Sequence, residues 1–133
     1  MKYFFLFSTL LLLVTSCNSP SEPKPEQVAE AFLTAYYLPD FDQIISLCAS
    51  GSILQSDMER NALSFNEYPP EIQDKWRKDL TTYNFCVNQV EVNSAKDSAF
   101  VTFAIFAPEV PGGIVSRLTL IKEEDEWKVA MLL

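Results

Sequence analysis

Residues 118–132 read LTLIKEEDEWKVAML, and this stretch decides the fold class. Apolar and polar side chains alternate on both sides of an acidic tip at residues 123–126, which is typical of a β-hairpin. A symmetric turn there pairs Lys122 with Trp127 and Leu120 with Val129. In that register we expect one face to belong to the core, and it carries Leu118, Leu120, Trp127, Val129, Met131 and Leu133.

Two further strands are predicted before this hairpin. Residues 83–92 alternate until Asn88-Gln89, where the phase slips as it does at a β-bulge. Residues 99–106 form the next apolar run, after a polar turn at 93–97. The Pro111-Gly112-Gly113 segment predicts a turn before the third strand, at 114–122. Together these runs predict a mostly antiparallel, four-stranded meander.

The first half of the chain has a helical period instead. Residues 28–36 carry the apolar stripe of a helix that begins near Pro25 and is stopped by Pro39. Asp40 followed by Gln43 three residues later is typical of an N-cap and capping box, here for a short helix at 41–48. Two more helices are expected at 52–63 and 71–80. Helices followed by strands predict an α+β fold.

This order of elements resembles a family. An opening amphipathic helix, the FDQIISLC segment at 41–48, a helical excursion and the closing meander are similar to small bacterial lipoproteins of unknown function. Those lipoproteins have a nuclear transport factor 2-like, cystatin-like cone domain, and the resemblance covers residues 25–133. It implies a curved sheet wrapped around the first helix, often with a pocket between them. Isomerases, dehydratases, transport factors and scaffolds share this fold, so the resemblance assigns no function.

The amino terminus predicts export. Lys2, an apolar run at 3–14 and small polar residues before Cys17 have the layout of a cleaved signal. This segment resembles the lipobox of bacterial lipoproteins, which implies removal of residues 1–16 and a lipid on Cys17. An uncleaved membrane helix is the first alternative, but its apolar core spans only about 18 Å of a roughly 30 Å hydrocarbon layer. An ordinary secretory signal is the second alternative.

The predicted organisation is a signal peptide at 1–16, a lipidated Cys17 with a proline-rich tether at 17–25, and one α+β domain at 26–133. The protein is therefore expected at the cell envelope, held to the membrane through Cys17. In the lipoprotein family the residue after the cysteine guides sorting. Asn18 is not the aspartate associated with inner-membrane retention, so the outer membrane is favoured where the cell has one.

Composition argues against several classes of function. The sequence has eighteen acidic and ten basic residues, which makes nucleic acid an unfavourable partner. The absence of histidine removes the commonest general base and most zinc sites. Asp40 with Tyr36 or Tyr37 imitates a catalytic pairing, yet a helix cap and an apolar helix stripe explain the same residues. We therefore expect no catalytic residues, no metal and no cofactor, and an enzyme is the alternative.

Aromatic residues predict an apolar pocket, for which the candidates are Tyr36, Tyr37, Trp76 and Phe103. The second strand is apolar on both faces, around Phe100 and Phe106, so it needs two covering layers. One is the helical layer. The other is a second subunit joined through the sheet, the Pro108–Gly113 segment, or an apolar ligand.

Cys48 and Cys86 remain once Cys17 is lipidated. In an oxidising compartment two such thiols tend to form a disulfide, and two buried free thiols are the alternative. The sequence thus favours a lipid-anchored, noncatalytic module of the envelope that binds a small apolar ligand or an envelope protein. Its rival is a cone-fold enzyme of isomerase or dehydratase type acting on a small hydrophobic molecule.

Overall fold

A computed structural model describes residues 22–133 and confirms the α+β fold. The predicted signal peptide at 1–16, Cys17 and the first part of the tether lie outside the described residues. Four helices precede four strands. The helices are α1 (Pro25–Tyr37), α2 (Phe41–Leu47), α3 (Ile53–Glu67) and α4 (Pro70–Leu80). The strands are β1 (Asn84–Val92), β2 (Ser98–Ala107), β3 (Val110–Glu123) and β4 (Glu126–Leu132).

The strands form one antiparallel sheet in the order β1-β2-β3-β4, which confirms the predicted meander. The predicted bulge is present in β1, where the pairing with β2 shifts between Val87 and Gln89. No described helix is both long enough and apolar enough to cross a membrane.

The turn between β2 and β3 differs from the prediction. It falls at Pro108-Glu109, and the predicted turn residues 111–113 belong to β3 instead. Gly113 has a φ of +80°, and a Cβ there would lie 2.7 Å from Cε1 of Phe106. Glycine therefore lets the Phe106 ring lie against the β3 backbone. The Pro108–Gly113 segment covers Phe106 only in part, because this ring remains exposed.

The closing hairpin has the predicted register near its tip and a different one farther away. Lys122 pairs with Trp127 and Leu120 with Val129, but an irregularity follows, and Leu118 pairs with Leu132. A bulged residue reverses the alternation of faces beyond it. The expectation that Met131 and Leu133 are core residues is therefore wrong: they are 50% and 62% exposed. Leu132 packs against the core in their place.

The core lies between the helices and one face of the sheet. Phe32 and Leu33 of α1 meet Val101 and Phe103 of β2, and all four are buried almost completely. Leu118, Leu120 and Val129 extend this core across β3 and β4. The space between the first helix and the sheet is thus filled by side chains.

Two polar contacts fix the connections around α2. The Asp40 carboxylate accepts a hydrogen bond from the Gln43 amide at 3.2 Å, which confirms the predicted N-cap. Glu123 at the hairpin tip accepts hydrogen bonds from the amide and hydroxyl of Ser50, at 2.8 and 2.7 Å. The tip of the sheet is thereby attached to the loop between α2 and α3.

The predicted disulfide is absent, because Cys48 and Cys86 lie at opposite edges of the sheet. Cys48 forms a parallel bridge with Val129 of β4, whereas Cys86 lies in β1. Two strands separate β1 from β4, each adding about 4.8 Å, while a disulfide requires Cα atoms within about 7 Å. Both thiols are free, as in the alternative interpretation, although only Cys48 is buried.

Burial, with a smaller contribution from Glu59, raises the pKa of the Cys48 thiol to about 11, and Lys128 opposes this shift. The folded state therefore favours the neutral thiol. The resulting stabilisation is complete below the ordinary thiol pKa of 9.0 and is lost as the pH rises towards about 11.

We predict that the Cys17→Ser chain has one reactive thiol when native and a second only after unfolding. At about pH 8 the exposed Cys86 should react quickly with an aromatic disulfide reagent, whereas Cys48 is buried and protonated. Cys86→Ala is the control, and it should abolish the fast reaction. A chain without any reactive thiol after unfolding in the absence of reductant would contradict the assignment of two free thiols.

Candidate functional site

An open groove of about 300 Å³ lies among the helices. Its lining residues come from α1, α2, α3, α4 and the turns beside them, and none comes from a strand. They are Tyr36, Pro39, Phe41, Ile44, Met58, Asn61, Ser64, Phe65, Tyr68, Trp76 and Leu80. The volume is at the lower end of the range for small-molecule sites. We call this cavity the helical groove.

The local sequence of α3 supplies one wall of the helical groove. The Ser52 hydroxyl accepts a hydrogen bond from the Gln55 amide at 3.0 Å and starts the helix at Ile53. Met58, Asn61 and Phe65 then recur at a helical spacing and face the same side. This wall was missed at the level of sequence, although the spacing of Met58 and Phe65 was a signal for it.

The opposite wall is α4, a helix with no buried residue. Pro70 at its first position suits a helix start, since proline has no amide hydrogen to leave unpaired. Trp76 and Leu80 are four residues apart and face the helical groove. Trp76 remains 49% exposed, so much of its ring is accessible from solvent.

Aromatic rings connect the two walls. Phe65 is buried and has its ring centroid 5.5 Å from that of Phe41 and 6.4 Å from that of Trp76. Tyr68 stacks beside Trp76 at 6.0 Å with an angle of 28° between the rings. The helical groove therefore presents several flat apolar faces close to one another.

The helical groove has no charged side chain in its lining. Charged residues of α4 pair with each other instead, Lys75 with Asp79 at 2.7 Å and Arg77 with Asp74 at 3.3 Å. Its polar lining includes Asn61 and Ser64, whose side chains make no hydrogen bond to another residue within 22–133. The site can thus donate and accept hydrogen bonds without attracting an ion.

The structure brings together two of the four predicted pocket residues. Tyr36 and Trp76 line the helical groove. Phe103 does not, because it is completely buried in the core under α1. Tyr37 does not either, since the next position on a helix points about 100° away from Tyr36. The resemblance implies a pocket between the sheet and α1, and core side chains occupy that place here.

Tyr37 belongs to a second, more open cavity of about 250 Å³. Its ring stacks on Tyr83 at 5.6 Å and lies 6.4 Å from the ring of Phe85. Burial raises the pKa of Tyr37 to about 12, with contributions from Tyr36 and Tyr83. The phenol is therefore neutral at physiological pH and takes part in packing.

The candidate acidic groups lie elsewhere. Asp40 is exposed and caps α2. Glu123 of the acidic tip is engaged with Ser50. In the described part of the chain every buried side chain is apolar, and no group of three His, Cys, Asp or Glu residues is arranged for a metal ion. The lining of the helical groove includes none of these residue types.

Three solved structures resemble the chain. An NTF2-like protein of unknown function from Shewanella oneidensis MR-1 has 10% identity and a TM-score of 0.52, over 80% of this chain and 92% of that one. A proposed calcium/calmodulin-dependent protein kinase type II association domain from Thiobacillus denitrificans has 15% identity and a TM-score of 0.48, over 85% and 94%. A proposed dehydratase of the NTF2-like family from Streptomyces avermitilis has 17% identity and a TM-score of 0.44, over 79% and 88%.

No protein-family model and no curated protein matches the sequence. The similarity to the Shewanella protein shows the fold, and the chain therefore has an NTF2-like, cone-type α+β fold. This result confirms the resemblance at the level of architecture. Because the fold is used by catalytic and noncatalytic proteins, the chemistry has to be argued from the helical groove.

Proposed function

We propose that this chain, with its NTF2-like fold, is a lipid-anchored, noncatalytic binding module of the cell envelope. The observation that carries the proposal is the helical groove, which is open, aromatic and without a charged side chain in its lining. A small apolar molecule would gain roughly 25 cal/mol for each Å² of apolar surface that it buries there. The ligand enters beside Trp76, where the groove is open to solvent.

The alternative is a cone-fold enzyme, of isomerase or dehydratase type, acting on a small hydrophobic molecule. Such chemistry requires a general acid or base within reach of the substrate, commonly a carboxyl group whose pKa is raised by burial. The lining of the helical groove offers hydroxyl and amide groups but no carboxyl group. The cavity chemistry therefore favours binding over catalysis.

The envelope part of the proposal rests on the sequence. The signal-like residues 1–16 and Cys17 support lipid attachment, and Asn18 supports the outer membrane where one exists. Loss of Lys2 with the signal leaves nine basic residues against eighteen acidic ones. An acidic surface of this kind is repelled by anionic lipid headgroups, so the anchor and not the domain surface would hold the protein at the membrane.

We also propose a homodimer formed through the outer face of the sheet, the face that points away from the helices. Phe100 and Phe106 of β2 are exposed there, as are Val115 of β3 and Met131 of β4. Burial of this apolar surface against a second copy would supply the covering layer that β2 lacks. An envelope protein docking on this face is the other candidate partner.

We predict that the helical groove binds the uncharged fluorescent dye N-phenylnaphthylamine and that Ser64→Trp blocks the binding. Ser64 lines the groove, so an indole at this position would fill it. Asn66→Trp is the matched control, because Asn66 is exposed on the same helix outside the groove. The fluorescence of the dye should increase when the control variant is added and should not increase with Ser64→Trp. Equal dye fluorescence with both variants would refute the groove as a binding site.

A second prediction is that the mature protein begins at Cys17 and carries lipid. Intact-mass analysis of protein extracted from native membranes should give the mass of residues 17–133 plus acyl groups. The Cys17→Ser variant should lose the acyl mass. A water-soluble product that retains Met1 would contradict the proposed anchor.

A third prediction is that the Cys17→Ser chain is a dimer at micromolar concentration and that Val115→Asp makes it monomeric. Val115 is 67% exposed on the outer face, where a carboxylate from each copy would be buried against the other. Ile53→Asp is the control, because Ile53 is 81% exposed and lies on α3, not on the outer face of the sheet. Multi-angle light scattering gives the mass. The proposal fails if the Cys17→Ser chain without a further substitution is monomeric.

A further inference from the structure

We infer that the helical groove selects an uncharged aromatic ring that carries one hydrogen-bonding group, such as an aromatic alcohol. This inference rests on the proposed function and deepens it, since it names the class of ligand. Three features of the groove carry it: the absence of charge in its lining, the exposed aromatic faces, and two polar side chains available for hydrogen bonding.

Charge is the first feature. A charged ligand would exchange water for a cavity whose walls offer no opposite charge, and an unpaired buried charge is strongly unfavourable. Arg77 is a candidate for pairing, but its guanidinium lies 5.2 Å from the Phe65 ring centroid and donates a hydrogen bond to Asp74 at 3.3 Å. The remaining basic residues nearby on α4 are Lys75, which is paired with Asp79, and Lys78, which does not line the groove. A neutral ligand avoids this cost.

The aromatic walls are the second feature. Tyr68 and Trp76 stack side by side and are both exposed, an arrangement that leaves apolar ring surface facing solvent. Phe65 is buried behind Trp76 and closes the floor. A flat ring inserted here gains stacked or edge-to-face contacts with these rings, which a puckered saturated ring of similar size lacks.

The polar side chains are the third feature. Asn61 and Ser64 are three residues apart on α3 and line the same cavity. Neither side chain hydrogen-bonds to another residue in the described range. A ligand hydroxyl can accept from the Asn61 amide and donate to the Ser64 hydroxyl. Both residues are exposed, so water is their partner when the groove is empty. A hydrocarbon ligand offers no hydrogen bond in place of the water that it displaces from them, which disfavours it relative to the alcohol.

The test uses four small probes and the full chain carrying Cys17→Ser, with affinities measured by equilibrium dialysis. Naphthylmethanol represents the inferred class. Ethylnaphthalene replaces its hydroxyl with a methyl group, naphthoate adds a negative charge, and decahydronaphthylmethanol removes the aromaticity. We expect naphthoate to bind at least about tenfold more weakly than naphthylmethanol, and the saturated alcohol to bind about threefold more weakly.

The hydrogen bonds are isolated by a double variant, Asn61→Ala with Ser64→Ala. The double variant should bind naphthylmethanol about fivefold more weakly, because the alcohol loses its hydrogen-bond partners. Its affinity for ethylnaphthalene should be unchanged or slightly higher. The matched control is Ser56→Ala with Asn66→Ala, the same two residue types on α3 outside the groove. Alanine is a strong helix former, so α3 is retained in both variants, and circular dichroism checks this.

The outcomes separate the two proposals. If none of the uncharged probes binds, the helical groove is not a ligand site, and the proposed function fails together with the inference. If the uncharged probes bind but naphthoate binds as tightly as naphthylmethanol, the groove remains a binding site and the inference is overturned. The same conclusion follows if the double variant weakens the alcohol and the hydrocarbon alike, or if the saturated alcohol binds as tightly as the aromatic one.

Discussion

Close packing between α1 and the sheet is the constraint on which the rest of this structure depends. Phe32 from the helix and Phe103 from β2 are both completely buried in one core. Side chains of this size, packed at the density of a protein interior, leave no room for a ligand. A cone-type fold often keeps a pocket at this place, and here the pocket is replaced by core. Any cavity of useful size must therefore lie elsewhere.

The helical groove lies among the helices, with α4 as one of its walls. The helix α4 buries none of its own residues, and the rings of Trp76 and Phe65 connect it to the body of the domain. A wall attached through so few buried side chains can adjust to a ligand at little cost in packing. Because Trp76 is also half exposed, the ring that connects α4 to the core is the one that a ligand would contact. The Trp76 ring thus belongs both to the packing of α4 against Phe65 and to the wall of the helical groove.

The sequence predicted most of the fold, because helix periods, caps and strand alternation are local signals. Asp40 and the bulge near Asn88 were identified from a few neighbouring residues. The bulge beyond Val129 was not predicted, since Ala130, Met131 and Leu132 are all apolar and their order does not indicate which of them faces the core. The site was predicted only for Tyr36 and Trp76. The disulfide prediction was wrong for a related reason. An even number of cysteines in an oxidising compartment gives no information on the distance between two edges of a sheet.

The two edges of the sheet are protected in different ways. Along β4, the amide of Ala49 donates to the carbonyl of Val129 at 2.8 Å, and the Lys128 ammonium donates to the carbonyl of Ser46 at 2.9 Å. Along β1 the described chain supplies no neighbouring strand, but the bulge and the polar residues around it, Asn88, Gln89 and Glu91, disfavour pairing with another chain. Edge-to-edge association is therefore unfavourable at both edges. The outer face of β2 and β3, where Phe106 and Val115 are exposed and the Arg117 guanidinium lies 4.8 Å from the Phe100 ring centroid, is the surface that the proposed homodimer would use.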